Sequence, residues 1–188
     1  MAVPLLAASL SCSDFYMPTN ATSFRLSVRT MDLGDNGGWN LTTGPKGTLR
    51  AQDVTPPVGT ALSWKSKHGF IGFSAPTLGF PVAGAIGESM NQKGLSCGAL
   101  ALTPSKMPPP SATKPNLHMK YLCMWAVEQF ETVAQVKAAL ATQVQLWGHG
   151  YLDKDCESAA RMSLQPSRFD PSPQLRSGKS IDLKAAGL

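Results

Sequence analysis

The sequence has few of the side chains on which most catalytic centres depend. Its three histidines, His68, His118 and His149, stand apart from one another. Its four cysteines, Cys12, Cys97, Cys123 and Cys156, form no Cys-x-x-Cys pair and show no histidine spacing suited to zinc. Neither a metal centre nor a Ser-His-Asp triad is expected from such a distribution, and no cofactor is expected. Charge is also sparse, at 15% of residues against about 25% in a typical soluble domain. The net charge of +5 comes from 17 Lys and Arg set against 12 Asp and Glu, but the basic residues are scattered and build no patch for nucleic acid. No apolar run approaches the roughly 18–20 residues that a membrane span requires.

What is present suits one layered domain. A chain of 188 residues can bury a single core, and 17 glycines and 15 prolines mark frequent turns. Phe24, Leu26 and Val28 alternate with Arg25, Ser27 and Arg29, so 23–31 reads as a strand with one buried face. The Pro- and Gly-rich stretch 44–62 has room only for short strands, and 63–75 reads as strand, turn and strand. Asn91-Gln-Lys-Gly94 is a turn signal leading into the small and aliphatic run 95–102, which suits a strand covered on both faces. Apolar residues at 117, 121, 122, 125, 126 and 130 follow helical spacing, and Thr132-Val-Ala-Gln135 forms a capping box that opens a second helix. Strands therefore come first and a helical pair follows, an α+β order. Residues 148–188, crowded with Pro, Ser and charge, read as an irregular tail with one turn-and-strand fragment at 177–183.

At the N-terminus, residues 1–11 form a short apolar, small-residue stretch ending before Cys12. They resemble the end of a secretory signal, although the basic n-region is missing. If they are such a segment, the protein is secreted or periplasmic. Asn20-Ala-Thr22 and Asn40-Leu-Thr42 are sequons that would accept glycans in a eukaryotic secretory route. A cysteine that becomes the first residue of a mature chain has a chemical use. A free α-amine of pKa about 7.7–8.0 beside a thiol of about 8.5 supplies nucleophile and base together, without histidine. Cys12 also has plainer readings, as a small buried hydrophobe or half of a disulfide. Arg29 and Asp32 read alone are a surface pair.

Taken together, Cys12, Arg29-Thr-Met-Asp32, Met90-Asn-Gln-Lys-Gly-Leu95 and the helical Thr132–Leu140 segment resemble the choloylglycine hydrolase and penicillin V acylase family of N-terminal nucleophile hydrolases, over about 12–147. The resemblance implies an αββα four-layer sandwich, of which this chain would supply the N-terminal part. It also implies Cys12 as nucleophile, Arg29 favouring the thiolate and Asp32 holding the α-amine. The implied substrate is a small linear amide, such as a conjugated bile acid, a phenoxyacyl penicillin or an N-acyl amide. No nucleic acid or membrane span is expected, and homo-oligomerisation is carried as an expectation because a half-sandwich would leave an apolar sheet face uncovered.

The pattern departs from the family in two places. The family's oxyanion-hole asparagine or tyrosine falls at about Ala101, which offers a backbone N–H and no side-chain donor, and the loss of one such donor typically costs about 10²–10³ in rate. The later asparagine and arginine of the family have no counterpart. These departures motivate a second hypothesis, an inactive relative serving as a binding or assembly subunit.

Overall fold

In the computed structural model of the protein, the residues described are 11–17, 26–32, 39–74, 88–102, 107–148 and 159–165. Of these, 11–17, 26–32, 99–102 and 159–165 are described as backbone.

Along the chain run β1 (Ser11–Met17), β2 (Leu26–Asp32), β3 (Asn40–Gly44), β4 (Leu49–Ala51), β5 (Ser63–Lys65), β6 (Phe70–Ser74), β7 (Glu88–Asn91), β8 (Ser96–Leu102) and β9 (Asn116–His118). A 3-10 turn (Met119–Tyr121) then leads into α1 (Leu122–Gln129), α2 (Val133–Thr142), β10 (Gln145–Trp147) and β11 (Ala159–Gln165). Five strands form one sheet in the order β11-β8-β7-β6-β3, antiparallel throughout. Three two-stranded ladders, β1-β2, β4-β5 and the parallel β9-β10, complete the described strands.

The sheet is two-faced. Phe70, Ser74, Ser89, Asn91, Leu95 and Cys97 are buried on the side where α1 packs against β7 and β8. On the other side the register sets Leu41 beside Phe73, and Ile71 between Thr43 and Met90. Leu41, Ile71, Phe73 and Met90 are 45–62% exposed there. Period-2 alternation accounts for the split. A disulfide between Cys97 of β8 and Cys123 of α1, with Cα atoms 5.2 Å apart, fastens sheet to helix.

Several sequence expectations are met. The strand expected over 23–31 is β2. The expected strand, turn and strand of 63–75 are β5 and β6, although each joins a different ladder. The Asn91–Gly94 turn is present, with Gly94 at φ 84°, a conformation that favours glycine. The capping box is complete: Thr132 Oγ1 accepts from the Gln135 N–H at 3.3 Å, and Gln135 Oε1 accepts from the Thr132 N–H at 3.1 Å.

Two expectations are corrected. The first helix begins at Leu122 rather than Leu117, because residues 116–118 are extended in the parallel ladder with β10. Buried Asn116 anchors that ladder, its amide donating to the carbonyls of Val58 and Ser111. Residues 122–128 are all buried, so α1 carries no one-sided stripe to mark where it starts. The tail is not wholly irregular: β11 pairs with β8 along its full length. Residues 177–183 and the connection after Met17 lie outside the described residues.

Candidate functional site

The three residues assigned to catalysis by resemblance lie on one ladder. β1 and β2 pair antiparallel without interruption: Ser11 opposite Asp32, Cys12 opposite Met31 and Asp14 opposite Arg29. Cross-strand partners share a face and faces alternate along a strand. Arg29 therefore falls in the same alternating set as Cys12 and Met31, diagonally across from Cys12. Asp32 falls in the other set, as the last residue of its strand, across from the residue that precedes Cys12. Backbone pairing thus brings an arginine position and an aspartate position to either side of the Cys12 position, the aspartate at the end where the Cys12 nitrogen lies. β1 packs beside β8, which carries Ala101 opposite Ala160 of β11.

Support for this ladder comes through the sheet. β8 is held on one side by β7, on the other by β11, and from one face by α1 through Cys97–Cys123. The β7–β8 turn is fixed by Asn91, which is buried. Its Oδ1 accepts from the N–H groups of Lys93 and Leu95 at 2.9 and 3.0 Å, and its amide donates to the carbonyls of Val127 and Phe130, both at 2.8 Å. The family-like Met-Asn-x-Lys-Gly-Leu stretch is thus an architectural joint. One asparagine closes the turn and satisfies the C-terminal carbonyls of α1, which a helix end leaves without partners.

Two further polar groupings escaped the sequence reading. Glu128 is fully buried. It accepts from Arg50 Nε and Nη2 at 2.9 and 2.7 Å on Oε1, and from Trp64 Nε1 at 2.6 Å on Oε2. Its carbonyl also accepts from the N–H groups of Lys67 and His68. Tyr121 donates to Asp53 Oδ1 at 2.5 Å and accepts from the Asp53 N–H at 3.1 Å, while Lys120 Nζ lies 2.6 Å from the same carboxylate oxygen. Burial pushes the Asp53 carboxyl up, but the hydrogen bonds from Lys120 and Tyr121 and the Lys120 charge outweigh it, so it titrates below the usual range. Burial and the Asp53 hydrogen bond push Tyr121 well above the ordinary phenol range. Each grouping ties the segment of β4 and β5 to α1 and the turn before it. Both have internally matched partners, which marks them as structural. Sequence spacing gives no signal for pairs 64 to 78 residues apart.

A surface groove lies between the β4–β5 segment and α2, lined by Lys46, Lys67, His68, Phe130, Glu131 and Gln135 among others. His68 Nε2 is 3.8 Å from Glu131 Oε1, yet burial first, and then the charges of Lys93, Lys46 and Lys67, hold His68 below its ordinary pKa. Ser66, the hydroxyl residue of this groove, donates to the Pro45 carbonyl and accepts from the Thr48 N–H, so its oxygen is committed to the backbone. No group of His, Cys, Asp and Glu suited to a metal occurs among the described residues, and no helix there is long and apolar enough to cross a membrane.

The family described as linear amide C–N hydrolases, choloylglycine hydrolase family, matches residues 12–155. A point mutant of the conjugated bile acid hydrolase from Clostridium perfringens superposes with a TM-score of 0.63 at 16% identity, over 84% of this chain and 45% of that one. Penicillin V acylase from Agrobacterium tumefaciens superposes with a TM-score of 0.52 at 20% identity, over 77% of this chain and 40% of that one. The chain thus spans less than half the length of these solved relatives. No curated protein sequence matches. At such identities the superpositions establish the fold, that of the N-terminal nucleophile hydrolases in part.

Proposed function

Because the chain belongs to the choloylglycine hydrolase family of linear amide C–N hydrolases, we propose that it hydrolyses a small linear amide with Cys12 as the nucleophile. The observation that carries this reading is the β1-β2 register, which sets Arg29 and Asp32 on either side of the Cys12 position. In a chain processed to begin at Cys12, the α-amine takes the thiol proton and the thiolate attacks the amide carbonyl. The tetrahedral oxyanion collapses, the C–N bond breaks as the ammonium returns its proton to the leaving amine, and a thioester remains. Water, deprotonated by the same amine, then releases the acid and the free thiol. Arg29 favours the thiolate and Asp32 orients the amine. Ala101 contributes a backbone N–H to the oxyanion. The substrate class is that of the solved relatives, a conjugated bile acid or penicillin V type of amide. The hydrolase family match favours this reading over that of a binding or assembly subunit.

The test is to sequence the mature N-terminus, label its thiol with iodoacetamide and assay glycine-conjugated and phenoxyacetyl amides. A chain beginning at Cys12, labelled there, and inactive as Cys12→Ala is the expected result. Turnover by a protein that retains residues 1–11, or equal turnover by Cys12→Ala, would sink the proposal.

A further inference from the structure

We propose that the groove between the β4–β5 segment and α2 binds a multiply charged oxyanion of the phosphate type, held by Lys46, Lys65 and Lys67. The groove measures about 1010 Å³, and its lining sets these three lysines against a single carboxylate, Glu131. That carboxylate is already shared, with Lys93 Nζ 3.5 Å and His68 Nε2 3.8 Å from its Oε1. Lys46, Lys65 and Lys67 are exposed, and their ammonium groups form no ion pair among the described residues. A cleft lined by charge of one sign concentrates counter-ions, and lysine meets phosphate as a point charge. Three ammonium groups suit an anion carrying two or more charges. The volume exceeds that of one phosphate group and leaves room for an organic remainder against Phe130.

The lysines stand on a fixed frame. The Gly47 N–H donates to the Ser66 carbonyl at 2.9 Å and the Ser66 N–H to the Thr48 carbonyl at 2.8 Å, while the Lys67 and His68 N–H groups donate to the Glu128 carbonyl at 2.8 and 3.0 Å. The segments bearing Lys46 and Lys67 are thus tied to each other and to the end of α1. On the α2 side, Gln135 commits its Oε1 to the N–H groups of Glu131 and Thr132, which leaves its Nε2 as a donor on the groove wall. His68 reports on the same charges. Burial first, then Lys93, Lys46 and Lys67, hold its imidazole below the ordinary pKa, with Glu131 opposing them. An anion seated among the lysines offsets their charge, so His68 takes up a proton more readily in the bound state. By linkage, binding tightens as pH falls through about 6.5 and below.

The experiment titrates the full chain with inorganic pyrophosphate at constant ionic strength, following heat and the imidazole resonances, with His68 assigned through His68→Gln. Saturable binding is expected, with the His68 titration displaced to higher pH in the bound protein. Lys46→Gln combined with Lys67→Gln should weaken binding at least tenfold, while Lys137→Gln, which alters a lysine of α2 outside the groove lining, should leave it unchanged. Absence of saturable binding to the parent, undiminished binding to the double variant, or an equal loss in Lys137→Gln, which marks diffuse attraction to a basic surface, would overturn the proposal.

Discussion

The Arg50 guanidinium grips the fully buried Glu128 carboxylate through two hydrogen bonds to one oxygen, across 78 residues of sequence. Trp64 holds the other oxygen. A buried charge is tolerable when paired and costly when its partner is removed, by about 3–5 kcal/mol. Arg50→Met is therefore expected to lower stability by roughly that amount in denaturant unfolding. Arg50→Met with Glu128→Gln recovers most of the loss, because the buried charge goes while Trp64 keeps an acceptor. A double variant as unstable as the single one would show that packing, not the charge, dominates.

The Cys97–Cys123 bond closes a loop of 26 residues, for which chain-entropy arguments give about 3.5 kcal/mol of stabilisation. Cys97→Ala with Cys123→Ala is expected to lower the unfolding midpoint to match. Reductant should then shift the midpoint of the parent and leave that of the variant unmoved.

Asn91 makes four hydrogen bonds from a buried position. Asn91→Ala strands the Val127 and Phe130 carbonyls and the turn amides, and each unsatisfied buried group costs about 1–3 kcal/mol. A loss of at least about 2 kcal/mol is expected by thermal unfolding. Asn91→Asp keeps the acceptor but sets a carboxylate against two carbonyls, so it should do no better.

These three sites show where sequence reasoning reaches and where it stops. The Asn91–Gly94 turn, the Thr132 capping box and the alternation of β2 were legible because each is decided by residues within a few positions of one another. The start of α1 was not legible, since a helix buried on every side has no polar face to give its phase. β11 escaped because its identity as a strand is conferred by pairing with β8. Glu128 with Arg50, and Cys97 with Cys123, are properties of the packed fold, and no spacing announces them. Cys12, Arg29 and Asp32 emerged through family resemblance. Alternation alone places Arg29 and Asp32 in opposite sets, and it takes the pairing register to show that both sets adjoin Cys12.

His68 is held below its ordinary pKa by burial and by Lys93, Lys46 and Lys67, against the opposing pull of Glu131. The unfolded chain then binds its proton first as pH falls. Stability contributed by the neutral imidazole is complete above the unfolded value of about 6.5 and is lost as pH drops from there toward the lower folded value. Between pH 7.5 and 5.5 the melting temperature should fall more steeply in the parent than in His68→Gln, and equal slopes would remove His68 as the cause.

The last prediction concerns Arg29, which stands diagonally across the β1-β2 ladder from Cys12, in the same alternating set. In the proposed mechanism its positive charge stabilises the thiolate. An opposite charge within a few ångströms typically moves a pKa by about 1–3 units, here downward for the thiol. Replacing Arg29 with Met removes the charge and keeps much of the length, so the thiol should titrate higher. The acidic limb of the kcat/KM profile should move to higher pH by about 1–3 units, with activity partly recovered in alkaline buffer. Arg29→Lys keeps a charge but loses the planar fork, so its limb should stay near that of the parent even if substrate binding weakens. The shift separates an electrostatic role from a structural one, because a variant that merely folds poorly loses activity at every pH alike. An unshifted limb in Arg29→Met, in protein that still labels at Cys12, would assign thiolate stabilisation to another group.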